Sequence, residues 1–233
     1  MQTEKISIGD IPSVIYGPVS DKAFLFVYGK NGRKEEAVDF AETACGAGWQ
    51  VLSADLPGCE KPEKRELGEA VPWNVVPELR LIMGYMKERW KSVGLRANSI
   101  GAWFSMLAFQ KEKLDKCLFV SPVLDMEKLI LSMMKAVSVS EERLKTDKIA
   151  ETPFGQTLSW KYLSYVRENP VTSWTAPTDI LYGGGDKLIV RDTVELFRDR
   201  FNAGLTVMED GEHWFHTPAQ LEFLKMWTAE ILL

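Results

Sequence analysis

Ser99 stands in the run Leu95-Arg96-Ala97-Asn98-Ser99-Ile100-Gly101-Ala102-Trp103, with a small residue two positions away on either side. Alternating apolar residues Val93, Leu95 and Ala97 predict a short strand before it, and Ala102 to Phe109 predicts a buried helix after it. A serine at such a reversal takes strained backbone geometry, and its small neighbours let two backbones approach closely. The hydroxyl is lifted clear of the sheet. The following helix N-terminus, with the N–H of Ile100 first in line, then faces any oxyanion that forms there.

A hydroxyl is a weak nucleophile at neutral pH and needs a base, itself oriented by a third group. The chain has two histidines, His213 and His216. His213 follows the apolar run Leu205-Thr206-Val207-Met208, whereas His216 directly precedes a helix start at Thr217-Pro218-Ala219-Gln220. Loops that follow parallel strands gather at one edge of the sheet, so His213 is the candidate base for Ser99. His216 is expected to pack against the helix start or face solvent. Asp186 ends the loop Gly183-Gly184-Gly185-Asp186 after another apolar run, Asp179-Ile180-Leu181-Tyr182, and is the candidate orienting acid. It also suits an ordinary turn. Asp192 reads as a cap, in a box with Glu195.

Around these residues the chain alternates strand and helix patterns. Ile6-Ser7-Ile8 and Ser13-Val14-Ile15-Tyr16 predict an opening hairpin at a sheet edge. A continuous apolar run at 23–28 predicts a strand buried on both faces, and 49–55 and 116–121 predict two further strands. Helical periodicity marks 37–44, 73–90, 191–201 and the segment after Thr217, where Thr, Pro and Gln fit the cap, first and third helical positions. A turn at Leu56-Pro57-Gly58 is followed by a charged loop through Arg65. The alternation predicts an α/β fold with a mostly parallel sheet and helices on both faces, in one domain over 1–233. The stretch 123–177 breaks the rhythm with a helical run, a polar charged stretch and the aromatics Phe154, Trp160, Tyr162, Tyr165 and Trp174. It is expected to be a small helical insertion covering one end of the sheet, or two helices that only pack.

The small-x-Ser-x-Gly pentapeptide resembles the nucleophile elbow of the alpha/beta-hydrolase family, with Ala97 at the first small position. Ser99, Asp186 and His213 also follow that family's nucleophile–acid–base order. The resemblance implies that the N–H groups of Lys30 and Ile100 form the oxyanion hole, Lys30 lying in Tyr28-Gly29-Lys30-Asn31-Gly32, which is similar to the family's His-Gly-x loop. Tyr28 stands where the histidine usually does. Asp55-Leu56-Pro57-Gly58 is similar to the family's Asp-x-x-Gly loop. Asp125, just past the strand at 116–121, is the second candidate acid, because some members place the acid there.

The activity so implied is that of a serine esterase: a Ser99–His213–Asp186 catalytic triad cleaving a small carboxylic ester or thioester through an acyl-enzyme. Trp160 and Trp214 are candidates to line an apolar acyl pocket. The same constellation serves peptidases and acyltransferases, and the scaffold also suits a non-catalytic ligand-binding protein; turnover separates these. No metal or organic cofactor is implied. A net charge of −5 with no basic block argues against nucleic acid or an anionic membrane as partner. Cys45, Cys59 and Cys117 are scattered without metal-site spacing and read as free thiols. The first residues lack the apolar stretch of a signal peptide and no segment is long enough to span a bilayer, so a cytoplasmic location is expected. The pattern leaves oligomeric state open.

Overall fold

The computed structural model describes residues 1–60 and 68–232. The charged loop therefore lies partly outside the described residues. The chain opens with β1 (Thr3–Ile8) and β2 (Ile11–Tyr16), an antiparallel pair turned at Gly9. Next come β3 (Lys22–Val27), a single 3-10 turn at Lys34–Glu36, α1 (Ala37–Gly46) and β4 (Gln50–Ala54). Then follow α2 (Pro72–Arg89), β5 (Ser92–Asn98), α3 (Ile100–Phe109) and β6 (Lys116–Val120).

An insertion separates β6 from the last two strands of the main sheet. It contains α4 (Met126–Ala136), α5 (Glu141–Asp147), β7 (Ile149–Glu151), β8 (Thr157–Ser159) and α6 (Trp160–Glu168). The chain then returns to the sheet with β9 (Thr178–Gly183), α7 (Arg191–Phe201), β10 (Gly204–Met208) and α8 (Pro218–Leu232).

Eight strands form one sheet in the order β1-β2-β4-β3-β5-β6-β9-β10. The pairings from β4 to β10 are parallel, and β2 meets β4 antiparallel. This is the arrangement the alternating pattern predicts. The inner strands carry apolar residues at nearly every position because both faces are covered: all of β4 is buried, as are Ala23 to Val27 of β3. Helix α1 packs with α8, and α2 packs with α3. Ser99 comes at the carboxyl end of β5, an interior strand, where the loops after parallel strands converge.

The insertion is less helical than its sequence suggests. The polar stretch forms α5, capped by Ser140 accepting from the Arg143 N–H, and then the two-stranded ribbon β7–β8 turned through Gly155. Arg167 of α6 ties the piece together. Its guanidinium reaches Glu127 of α4 at 2.6 Å and Glu141 of α5 at 2.7 and 2.8 Å. At the start of α7 the structure departs from a capping box. Val190 precedes the helix without a side-chain cap, and Glu195 pairs with Arg191 at 2.9 Å. A box does form at α8, where Thr217 Oγ1 accepts from the Gln220 N–H and Gln220 Oε1 accepts from the Thr217 N–H.

Among the described residues, the ion pair of Lys34 and Asp55 is taken fully into the interior. Lys34 Nζ lies 3.0 and 2.9 Å from the two oxygens of Asp55, with 2% and 0% of their side chains exposed. The Cys59 thiol adds a donor to Asp55 at 3.6 Å. Burial works against the charged Lys34 ammonium, but the hydrogen bond and charge of Asp55 outweigh it and hold its pKa above the usual lysine value. Removing one partner of such a pair strands the other charge, whereas replacing both with apolar groups is often nearly neutral. Lys34→Met is therefore expected to lower stability by about 3–5 kcal/mol. Lys34→Met with Asp55→Leu is expected to lose markedly less, both read by urea unfolding.

Candidate active site

The elbow follows from packing. Ser99 sits at φ 50°, ψ −124°, between the last residue of β5 and the first of α3. Left-handed φ at a serine costs about 1–3 kcal/mol and persists only where its surroundings enforce it. Here β3 enforces it. A Cβ on Gly101 would lie 2.4 Å from the Tyr28 carbonyl oxygen and 2.8 Å from that of Val27. The α3 backbone thus crosses directly against the end of β3, and only glycine fits. The Ser99 N–H donates to the Val120 carbonyl (3.0 Å), and the Ser99 carbonyl accepts from Ala102 and Val123. The backbone is held while the side chain is left to act.

His213 and Asp186 arrive on two loops that pack backbone to backbone. A Cβ on Gly183 would stand 2.5 Å from the Gly211 carbonyl oxygen, and one on Gly184 would stand 2.6 Å from that of Glu209. With side chains out of the way, Gly184 N–H donates to Met208 and Gly185 N–H to Gly211, each at 2.8 Å. The glycines thus serve the close approach of the two loops. Asp186 does two jobs. Its Oδ1 accepts from the N–H groups of Leu188 (2.7 Å) and Ile189 (3.0 Å), which locks its rotamer, and its Oδ2 meets His213 Nδ1 at 2.7 Å.

That contact dictates the tautomer. A carboxylate only accepts, so Nδ1 carries the hydrogen, and Nε2 of the neutral ring is left as an acceptor. Ser99 Oγ lies 2.9 Å from Nε2, where its hydroxyl can donate. The Asp186 side chain has no exposure, while His213 keeps 24%.

The loop after β3 lies against Ser99. Gly29 comes so close that a Cβ there would be 3.3 Å from Ser99 Cβ. The loop is a tight turn, Gly32 N–H to Gly29 carbonyl (3.2 Å), with Asn31 in the left-handed region and Gly32 flat against the Tyr28 ring. Among the described residues, the N–H groups of Lys30 and Ile100 donate to no protein acceptor. Tyr28, where the hydrolase pattern has histidine, fastens this loop to the segment after β4. Its hydroxyl accepts from the Leu56 N–H at 2.6 Å and faces the Leu56 carbonyl at 3.4 Å. Burial pushes the phenol far above its ordinary pKa, so it stays neutral.

The remaining candidates lie apart from this line. Asp125 caps α4 through the Lys128 N–H (2.9 Å). Trp214 is 74% exposed and stacks on His216, ring centres 5.0 Å apart. His216 Nδ1 meets the Trp214 carbonyl at 2.7 Å, and its backbone N–H donates to Gln220. Trp160 opens α6 with the Lys145 ammonium 5.7 Å from its ring centre. Trp103, one turn into α3, stacks with Tyr162 of α6, ring centres 5.8 Å apart at 26°. Among the described residues no cluster of His, Cys, Asp or Glu could hold a metal ion, and no helix is long and apolar enough to cross a membrane.

A parallel sheet in this order, with a strained serine at the end of an interior strand, is the alpha/beta-hydrolase fold. Solved structures agree. The chain is similar to Est1E from Butyrivibrio proteoclasticus with ferulic acid bound, at TM-score 0.79 and 17% identity over 98% of this chain and 97% of that one. It is also similar to alpha/beta hydrolase domain-containing protein 10 from mouse, at 0.76 and 12% over 100% and 98%. A monoacylglycerol lipase from Paleococcus ferrophilus matches at 0.68 and 16%, over 95% and 98%. No protein-family model and no curated protein matches the sequence. At these identities the likeness establishes the fold.

Tyr28→Phe removes the partner of the buried Leu56 N–H, which costs about 1–3 kcal/mol. The expected result is a urea midpoint lowered accordingly, with faster hydrogen exchange at the Leu56 and Lys30 amides.

Proposed function

We propose that this protein is a serine hydrolase that cleaves a small carboxylic ester or thioester. The observation that carries the reading is the hydrogen-bonded line from Ser99 Oγ through His213 to Asp186, ending on a serine held in strained geometry. The similarity to Est1E holding ferulic acid, and to a monoacylglycerol lipase, supports acyl chemistry.

In this reading Ser99 Oγ attacks the carbonyl carbon as His213 Nε2 takes its proton. Asp186, charged and buried, stabilises the resulting imidazolium without accepting the proton itself. The carbonyl oxygen, now negative, receives the N–H groups of Lys30 and Ile100, each donor of this kind being worth about 3–4 kcal/mol in the transition state. Collapse breaks the bond to the leaving alcohol or thiol, which takes the proton from His213. Water then attacks the acyl-enzyme with His213 again as base, releasing the acid and restoring Ser99. The insertion covers the site as a cap. Trp214, beside His213, and Trp160, at the start of α6, border the substrate's apolar part. Three free cysteines, two of them buried, fit a reducing cytoplasm.

A fluorophosphonate probe is expected to label the wild-type protein at Ser99 and to leave Ser99→Ala and His213→Ala unlabelled. Failure to label a folded wild type would replace this reading with that of a non-catalytic binder. On short-chain aryl esters, Asp186→Asn is expected to keep the fold and lose roughly 10³- to 10⁴-fold in kcat, because the wrong histidine tautomer then faces Ser99.

A further inference from the structure

The two outer strands of the main sheet are unlike each other. β1 carries Glu4 and Lys5, both exposed, and charges of this kind discourage further pairing at an edge. β10, at the opposite end, reads Gly204-Leu205-Thr206-Val207-Met208, with no charge and no proline. It pairs with β9 on one side, and none of its residues is buried. An edge left in this state is a template for another strand.

The groups it presents follow from the bond at its end. The Met208 carbonyl accepts from the Gly184 N–H and so faces the β9 side. The N–H and C=O of one residue point to the same side of a strand, and those of the next residue to the other. Gly204, Thr206 and Met208 therefore bond toward β9, while Leu205 and Val207 turn their N–H and C=O outward. Among the described residues, no loop or turn backbone group bonds to these.

The charges at the two ends decide the occupant. Before β10, the last turn of α7 carries Arg198, paired with Asp199, and Arg200, which meets the Thr172 carbonyl at 3.2 Å. After it come Glu209, Asp210 and Glu212, all exposed, with Arg191 3.6 Å from Glu209 and His216 3.4 Å from Glu212. An antiparallel strand of the same sequence lays the acidic end of one copy along the basic end of the other. A parallel one sets like against like. The antiparallel register also fits: with Thr206 opposite its own copy, Leu205 of each chain faces Val207 of the other, outward groups to outward groups.

We propose that a second copy of this chain pairs along β10, antiparallel about a two-fold axis at Thr206, joining two eight-stranded sheets into one. Leu205 and Val207 exchange N–H to C=O bonds across the axis. The two Thr206 residues form a non-hydrogen-bonded pair, with Cα atoms about 4.5 Å apart.

Sedimentation velocity on the whole chain at roughly 100 μM is expected to give a dimer, since modest interfaces commonly bind in the micromolar range. A charge placed at position 206 faces its own kind. Thr206→Lys and Thr206→Asp are each expected to weaken the dimer roughly a hundredfold or more, the scale of like charges brought together at an interface. Mixed in equal amounts, the two variants are expected to recover it as a heterodimer. Thr206→Cys is expected to form a disulfide-linked dimer under mild oxidation, because a pair of this type holds its Cα atoms within disulfide range. Leu205→Cys, which faces Val207, is expected not to.

The cross-linking arm keeps the register testable if a charged variant fails to fold. A wild type that stays monomeric would overturn the proposal, as would an open-ended series of oligomers, the product of head-to-tail pairing. So would a dimer unmoved by both charged variants, a mixture of folded variants that does not recover it, or a Thr206→Cys chain that cross-links no faster than the wild type.

Discussion

Everything at this site depends on one close approach, the α3 backbone at Gly101 against the carbonyl ends of β3. Because no Cβ intervenes, the helix starts directly beside the sheet, and the residue before it must turn through the left-handed region. Ser99 is that residue, and its strain is supported from three sides, by the N–H bond to Val120 and by the N–H groups of Ala102 and Val123 on its carbonyl. The same contact brings the Tyr28–Gly32 turn against Ser99. The nucleophile and its proposed oxyanion donors are therefore set by one packing event. A methyl group at Gly101 would disturb both at once.

A second backbone contact, between the loops after β9 and β10, sets the other half. Gly183, Gly184 and Gly211 let two chain segments lie against each other as strands do, which carries the pairing of β9 with β10 past the sheet edge. Asp186 and His213 are therefore both placed by this one pair of packed loops. The Asp186 carboxylate gains its fixed direction from the Leu188 and Ile189 N–H groups, and His213 gains its tautomer from Asp186. Preorganisation of this kind places dipoles before the reaction begins, which is where most of the rate advantage of such sites originates.

These contacts explain what the sequence reveals and what it hides. The β3, β4 and β5 runs are legible because burial on both faces leaves a local signature, and Ser99 is legible because elbow geometry restricts its immediate neighbours. His213 and Asp186 could be nominated because so few histidines exist and each residue follows a strand. Tyr28 is different. Its hydroxyl works on Leu56, 28 residues away, and nothing local to either announces it. Lys34 is likewise silent, since it pairs with Asp55 21 residues away. The ribbon β7–β8 is too short for a period to emerge, and the exposed indole of Trp214 shows how little aromatic content alone says about where a ring will point.

The Lys34–Asp55 pair gives the loop its third anchor. Tyr28 to Leu56, Lys34 to Asp55, and the Glu60 N–H to the Gly32 carbonyl (3.2 Å) fasten the turn after β3 to the segment after β4 in three chemically distinct ways. A histidine at position 28 could make a similar bond to Leu56, so the substitution preserves the link while changing its proton inventory. A phenol raised by burial remains a neutral partner, whereas an imidazole is an ionisable one near neutrality. Two of the groups that hold the loop beside Ser99, the Tyr28 phenol and the Lys34 ammonium, both have their pKa raised above the ordinary value, the phenol by burial and the ammonium by Asp55.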